Sequence, residues 1–129
     1  MKKTLPLSRV YSLLEPGPVV MVTTARKGRA NIMTMSWHTM MEFEPPIVGC
    51  VISDRNYSFE ILKATGECVI NIPTVKLAEK VVGCGNTSGR RADKFKAFGL
   101  TPWPRRSSRS RSLPSVMPIW SARSLIEGW

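Results

Sequence analysis

The sequence predicts a small, mainly β domain with short helices, formed by an antiparallel sheet or an unfinished barrel. The chain has 129 residues, which is the size of one domain. Hydrophobic residues make up 43% and charged residues 22%, as in globular proteins. The predicted elements follow in the order β-β-β-α-β-α, which differs from the regular alternation of a doubly wound parallel sheet. Four strands are too few to close a barrel, so the predicted barrel is incomplete.

The first half of the chain predicts one helix and three strands. Residues 8–15 place apolar side chains at helical spacing after a serine, which predicts a short helix. Residues 19–24 and 30–38 predict the two strands of an antiparallel hairpin, joined by the polar turn 26–29. Residues 47–52 are a continuous apolar run, which predicts a strand buried on both faces.

The second half predicts three helices around one strand. Residues 56–64 and 75–84 carry apolar side chains at helical spacing. Residues 67–72 are rich in β-forming side chains and stop at a proline, which predicts a strand. Residues 83–89 contain three glycines and predict a loop, and residues 92–98 predict a last short helix that a glycine ends.

Several classes of protein are excluded by composition. No apolar run reaches the ~18 to 20 residues of a spanning helix, and no apolar stretch of signal-peptide type follows the first lysines. Cys50, Cys68 and Cys84 are an odd number without C-x-x-C spacing, which favours reduced thiols in the cytoplasm. His38 is the only histidine, so no metal site is expected.

Residues 1–102 are predicted to form one domain, and residues 103–129 a tail of different composition. The tail holds seven serines, five arginines, three prolines, three tryptophans and one acidic residue, Glu127. Its apolar residues follow neither a helical nor a strand period. With the net charge of +10, this leaves three interpretations: an arm that binds nucleic-acid phosphates, a disordered solvated tail, or a stretch translated out of frame.

The genetic code favours the out-of-frame interpretation. Shifting the frame by one base across residues 114–127 permits the peptide E-C-Y-A-N-L-E-C-x-V-V-D-R, and the junction of Met117 and Pro118 forces its alanine. The shifted peptide alternates in the manner of a strand. We therefore expect a single-base deletion near the codon of Pro102 or Trp103, and a disordered tail in the frame as given.

Three motifs of the body carry a family resemblance. They are Asn-Ile-Met-Thr-Met-Ser-Trp at 31–37, Ser-Asp-Arg-Asn-Tyr-Ser at 53–58 and Ser-Gly-Arg-Arg-Ala-Asp-Lys-Phe at 88–95. In this order and spacing they resemble the flavin reductase-like family that includes flavoredoxin, and the likeness covers residues 5–102. Sequences of that family continue with a segment similar to the shifted peptide E-C-Y-A-N-L-E-C. The resemblance implies an FMN-binding split β-barrel, here incomplete at its C-terminus, that forms a homodimer with the flavin at the subunit interface.

The phosphate of FMN needs charge-assisted donors. Ser53, Arg55 and Ser58 offer two hydroxyl groups and one guanidinium within six residues, where a strand ends and a helix begins. Their pattern alone is more often that of a capped turn. With the resemblance, we expect these three residues to bind the phosphate.

A second group of candidate flavin contacts lies on one strand: Asn31, Thr34, Met35, Ser36 and Trp37. Strand alternation places Thr34 and Ser36 on one face, and Met35 and Trp37 on the other. An ordinary barrel strand with a methionine-rich core face would show the same pattern. The resemblance implies that this stretch lines the flavin ring, with main-chain groups near its pyrimidine edge.

Lys94 is the last candidate, since the resemblance implies a lysine near the flavin. A solvated lysine at a helix start is the alternative. A positive charge at Lys94 would stabilise anionic reduced flavin, which is an electrostatic role. We expect no catalytic side chain in the protein itself, because the chemistry would belong to the cofactor. Cys84 lies between two glycines and is either an exposed thiol or a small core residue.

The resemblance implies a flavin-dependent oxidoreductase that passes hydride from NADH or NADPH to FMN, and electrons onward to an unidentified acceptor. The alternatives are a non-catalytic FMN-binding electron-transfer protein, an inactive truncated product and, less favoured, a nucleic-acid binder that uses the tail. Because unpaired strand edges destabilise a sheet, we expect the 129-residue chain to bind flavin more weakly than an in-frame form.

Overall fold

A computed structural model describes residues 18–44 and 46–102, and the strand Met117–Arg123. The helix predicted at residues 8–15 lies outside the described residues. The described part is mainly antiparallel β-structure with short helices, as predicted. Among these residues, no helix has both the length and the apolar character needed to cross a bilayer.

The first two strands form the predicted hairpin. Strands β1 (Val20–Arg26) and β2 (Arg29–Met35) pair antiparallel over their whole length. Between them, Lys27 and Gly28 have positive φ angles of 49° and 79°, the geometry of the two-residue turn that matches strand twist. The second strand ends at Met35, earlier than the predicted range 30–38.

A second, two-stranded sheet follows. Strands β3 (His38–Phe43) and β4 (Pro46–Cys50) pair antiparallel, with a register shift between Met40 and Glu42. Strand β3 was not predicted from the sequence. The prediction that the run 47–52 is buried on both faces is wrong. Ile47 is 43% exposed and Val51 is 61% exposed. Among the described residues β4 pairs with β3 alone, so the run 47–52 is not a central strand. Val48 and Ile52 are partly buried against the core, whereas Ile47 and Val51 are exposed.

The remaining elements match their predicted positions within a few residues. They are helix α1 (Tyr57–Thr65), strand β5 (Glu67–Ile72), a 3-10 turn (Val75–Leu77), helix α2 (Ala78–Asn86) and helix α3 (Lys94–Ala97). Gly66 ends α1 with a φ of 66°, a conformation that glycine adopts without strain.

The main sheet has the strand order β2-β1-β5-β6, where β6 is Met117–Arg123. All its pairs are antiparallel. Seven residues of the tail that was expected to be disordered are thus a strand beside β5. The other tail residues lie outside the described part of the chain.

The core lies on both faces of this sheet. Helices α2 and α3 cover one face, with the buried residues Met21, Ile32, Val81, Cys84, Phe95 and Leu100. Helix α1 covers the other face, with the buried residues Val20, Val22, Met35, Leu62, Cys68 and Ile70. Among the described residues β2 is an edge strand with helices on both faces, so the start of α1 and the end of α2 meet at its free edge.

Candidate functional site

A cavity of about 280 Å³ lies at the free edge of β2. Its lining comes from β2, the start of α1, the end of α2 with the following loop, and the first residue of α3. These residues are Asn31, Met33, Thr34, Arg55, Asn56, Tyr57, Ser58, Cys84, Gly85, Asn86, Thr87, Ser88, Gly89 and Lys94. The cavity therefore brings together five of the nine predicted site residues, from β2, the start of α1 and the first residue of α3.

Asn31 and Ser58 join β2 to α1 at the base of the cavity. Both residues are buried, and the Asn31 side-chain nitrogen donates a hydrogen bond of 2.8 Å to the Ser58 hydroxyl oxygen. The loop after α2 packs against the same asparagine, because a Cβ on Gly89 would lie 2.0 Å from Asn31 Oδ1. Only a residue without a side chain allows this approach.

The side chain of Thr34 connects β2 to α2 by a hydrogen bond. Its hydroxyl donates a hydrogen bond of 2.6 Å to the main-chain oxygen of Val81. Arg26 and Arg29 flank the two-residue turn and form a hydrogen-bonded pair between β1 and β2. Every second residue of β2 after Arg29 therefore points its N–H and C=O groups toward β1, and the residues between them point these groups away from β1. Ile32 and Thr34 are the residues that present these groups to the free edge.

Lys94 places a buried positive charge at the cavity. The residue is 5% exposed, and its Nζ donates a hydrogen bond of 2.7 Å to the main-chain oxygen of Cys84. Burial lowers the pKa of Lys94, and the nearby Cys84 thiol partly opposes this shift. Within residues 18–44 and 46–102, the one ion pair is between Arg90 and Glu60, so no carboxylate there neutralises Lys94. Buried charges are normally paired, so this site fits an anion.

Arg55 supplies a second cation. It precedes α1 and is exposed, and its main-chain oxygen accepts a hydrogen bond of 2.8 Å from Arg90. Its guanidinium has no hydrogen-bond partner among the described residues. Ser53 stays outside the cavity, where its hydroxyl oxygen accepts a hydrogen bond of 3.2 Å from the Arg55 N–H. This is the capped turn that the sequence left open as the alternative.

Three other predicted residues do not line the cavity. Met35 is buried against Leu62 in the core on the α1 face. Ser36 and Trp37 follow the end of β2, where the chain turns into β3, and Trp37 is 50% exposed. For all nine predicted residues, flavin contact stays a prediction.

Some of the residues that line the cavity were not predicted from the sequence. Tyr57 and the polar loop residues Asn86, Thr87 and Ser88 line the cavity although none was selected as a candidate. The sequence feature that could have identified the loop residues is a run of small polar residues between α2 and α3. Among the described residues, no group of His, Cys, Asp or Glu side chains could hold a metal ion.

The fold is that of a known class. The chain belongs to the flavin reductase like domain family, whose model matches residues 12–117. The predicted split-barrel fold is confirmed by this match and by similar solved structures.

Two relatives in sequence are the YddH protein of Escherichia coli (strain K12) and the PYRAB12460 protein of Pyrococcus abyssi (strain GE5 / Orsay). The first is 34% identical over 96 residues, which are 73% of this chain and 51% of that protein. The second is 30% identical over 106 residues, which are 82% of this chain and 59% of that protein. The chain thus spans little more than half the length of these relatives.

Solved structures show the same fold. Flavoredoxin of Desulfovibrio vulgaris (Miyazaki F) superposes with a TM-score of 0.79 at 28% identity, covering 88% of this chain and 61% of that one. An FMN-binding protein from Thermus thermophilus with bound 1-cyclohex-2-enone gives a TM-score of 0.76 at 22% identity, covering 90% of this chain and 62% of that one. The second likeness supports the fold alone.

Proposed function

We propose that the cavity at the edge of β2 holds FMN, and that the protein is a flavin-dependent oxidoreductase of the cytoplasm. In this function NADH or NADPH gives hydride to the flavin, and a separate acceptor takes the electrons. The observation that carries the proposal is the buried ammonium of Lys94, which faces the cavity without a carboxylate partner among the described residues. The ring of FMN gains negative charge when it is reduced, and a buried ammonium beside the ring would stabilise that charge.

The phosphate would lie toward Arg55 and the start of α1. A guanidinium forms two parallel hydrogen bonds with a phosphate and is well suited to this group. The neighbouring main-chain N–H groups of the first helical turn lack partners within the helix, so they add donors on the same side. Ser58 keeps its hydroxyl on Asn31 and shapes the cavity floor.

The ring of the flavin would lie along β2. The N–H and C=O groups of Ile32 and Thr34 point to the free edge, where they can pair with the donors and acceptors of a pyrimidine ring. Bound flavin supplies the redox chemistry. The chain holds Lys94 charged beside it, and a fixed positive charge stabilises the negative charge that accumulates on reduction.

Exposed apolar side chains on and beside the small sheet support a homodimer. They form what we call the hairpin patch: Trp37, Met40, Met41, Ile47 and Val51, each 43% to 68% exposed. Apolar patches of this kind on soluble proteins mark interaction sites. The patch begins two residues after β2 ends, so a second copy of the chain seated there would lie near the cavity.

A non-catalytic FMN-binding electron-transfer protein is the second candidate. It is favoured by one observation: the described lining of the cavity holds no histidine and no carboxylate. Both candidates require bound flavin, and they differ in whether a nicotinamide dinucleotide reduces it.

The test is a titration of the purified chain with FMN, followed by flavin fluorescence and absorbance. We expect saturable binding, and loss of the yellow absorbance on anaerobic addition of NADH or NADPH. Lys94→Met removes the buried charge and should weaken binding about tenfold. Lys96→Met, an exposed site two residues away, is the control. Absence of FMN binding would contradict both candidates, whereas binding without bleaching by either dinucleotide would favour the electron carrier.

A further inference from the structure

Arg90 connects three parts of the cavity wall. It lies in the loop between α2 and α3, next to Gly89. One guanidinium nitrogen donates a hydrogen bond of 2.8 Å to the main-chain oxygen of Arg55, and another pairs with the carboxylate of Glu60 in the first turn of α1. The guanidinium carbon also lies 5.7 Å from the ring centroid of Tyr57. One side chain thus links the loop to the turn that carries Arg55.

A second arginine contacts the same tyrosine. The guanidinium carbon of Arg29 lies 5.7 Å from the Tyr57 ring centroid, and this side chain donates a hydrogen bond of 3.2 Å to the main-chain oxygen of Gly89. Tyr57 itself lines the cavity. The aromatic ring is therefore a common support for two guanidiniums that reach the cavity wall from β2 and from the loop.

These contacts contribute little to global stability. The side chains of Arg90 and Glu60 are 42% and 52% exposed, and exposed ion pairs of this kind have small effects because water screens them. Their geometric effect is local. By holding the carbonyl of Arg55, Arg90 fixes the backbone of a residue whose guanidinium has no other partner among the described residues.

We propose that Arg90, supported on Tyr57, is a positioning residue that orients Arg55 toward the anionic end of the ligand. The proposal rests on the proposed function for the identity of that ligand, the phosphate of FMN. A fixed Arg55 backbone leaves its side chain fewer orientations to lose when the guanidinium binds, so the affinity gain is specific to the phosphate-bearing ligand. Arg90 does not touch the ligand in this arrangement and acts through Arg55.

The experiment compares four variants of the full chain: Arg90→Ala, Arg91→Ala, Arg55→Ala and the double variant of Arg55 and Arg90. Arg91 is the matched control because it is the adjacent exposed arginine. Affinities are measured for FMN, for riboflavin, which lacks the phosphate, and for inorganic pyrophosphate. Thermal unfolding by circular dichroism reports on the integrity of the fold.

We expect Arg90→Ala to weaken FMN and pyrophosphate binding about five- to tenfold, and to leave riboflavin affinity within about twofold. Arg91→Ala should leave all three affinities unchanged. In the Arg55→Ala background, loss of Arg90 should have no further effect, because residues that act through one another are not additive.

Equal losses for FMN and riboflavin, unchanged FMN binding in Arg90→Ala, or additive losses in the double variant would each overturn the positioning role. The flavin function is tested separately by the same data. Pyrophosphate binding that depends on Arg90, without FMN binding, would support the positioning role and contradict the flavin function. If the chain binds neither FMN nor pyrophosphate, both proposals are wrong.

Discussion

The ammonium group of Lys94 donates a hydrogen bond of 2.7 Å to the main-chain oxygen of Cys84, and this bond joins the first residue of α3 to the last turn of α2. Carbonyl groups at the end of a helix lack partners within the helix and carry partial negative charge. Lys94 satisfies one of them. The Asp93 side chain caps α3 by accepting hydrogen bonds from Phe95 and Lys96, which holds Lys94 in place.

Ligand affinity should depend on pH through Lys94. Burial lowers the pKa of Lys94 below its ordinary value of 10.5, so the ammonium loses its charge at a lower pH than in the unfolded chain. FMN affinity should therefore fall as the pH rises through the folded-state pKa. A titration of the dissociation constant from neutral to alkaline pH measures this, and Lys94→Met should lack that dependence.

The same pKa shift predicts the sign of the stability change in the ligand-free protein. Between the folded-state pKa and 10.5, the unfolded chain binds more protons at Lys94 than the folded chain. The free energy of unfolding should therefore increase as the pH rises through this window, because the folded chain no longer holds a charged Lys94 in a buried position. Urea unfolding of the protein and of Lys94→Met compares the two slopes, and identical slopes would contradict the role of Lys94.

Gly89 should be intolerant of a side chain. In Gly89→Ala the new Cβ would meet Asn31 Oδ1 at 2.0 Å, so the loop or the Asn31–Ser58 pair must move. We expect a loss of about 1 to 3 kcal/mol in the free energy of unfolding and weaker FMN binding. Gly85→Ala is the control for the unfolding measurement, because its Cβ would lie 3.5 Å from Thr34 and helix propensity favours alanine. A comparably large loss in Gly85→Ala would show that the Gly89 effect is not specific.

The hairpin patch should control the oligomeric state. Val51→Lys places a charge in the patch and should shift a dimer toward monomer, as measured by sedimentation velocity over a range of concentrations. Val75→Lys is the matched control, since Val75 is 91% exposed and lies in the 3-10 turn outside the patch. A chain that is monomeric before any substitution, or a Val51→Lys protein that stays dimeric, would contradict the proposed interface.

The reading-frame hypothesis has a direct test. The shifted peptide places A-N-L-E-C across the codons of Met117–Ala122, the same span that pairs with β5 in the structure. Sequencing the source DNA around the codons of Pro102 and Trp103 should reveal one missing base. If the base is restored, the encoded chain should bind FMN more tightly than the 129-residue form. An intact reading frame, or equal affinity, would count against the hypothesis.

Local patterns predicted most of the elements. The hairpin turn at Lys27 and Gly28, the strand Glu67–Ile72 and the two longer helices were predicted because turn residues and apolar spacing are local properties. Strand β3 was missed because its alternation continues from β2 without a break residue such as glycine or proline. The run 47–52 was assigned to the interior because apolar composition does not reveal how many strands flank it.

The amino-acid sequence by itself determined the family, the mainly β fold and five cavity residues, because sequence motifs and hydrophobic periodicity are properties of residues that are close together in the chain. Only the tertiary structure decided which polar side chains lie together. Arg55, Lys94 and Asn31 line one cavity, and Met35 lies in the core instead. Arg29 and Arg90 both contact the ring of Tyr57. The physical reason is that burial and charge pairing depend on contacts between residues far apart in the chain, and these exist only once the sheet and helices have packed.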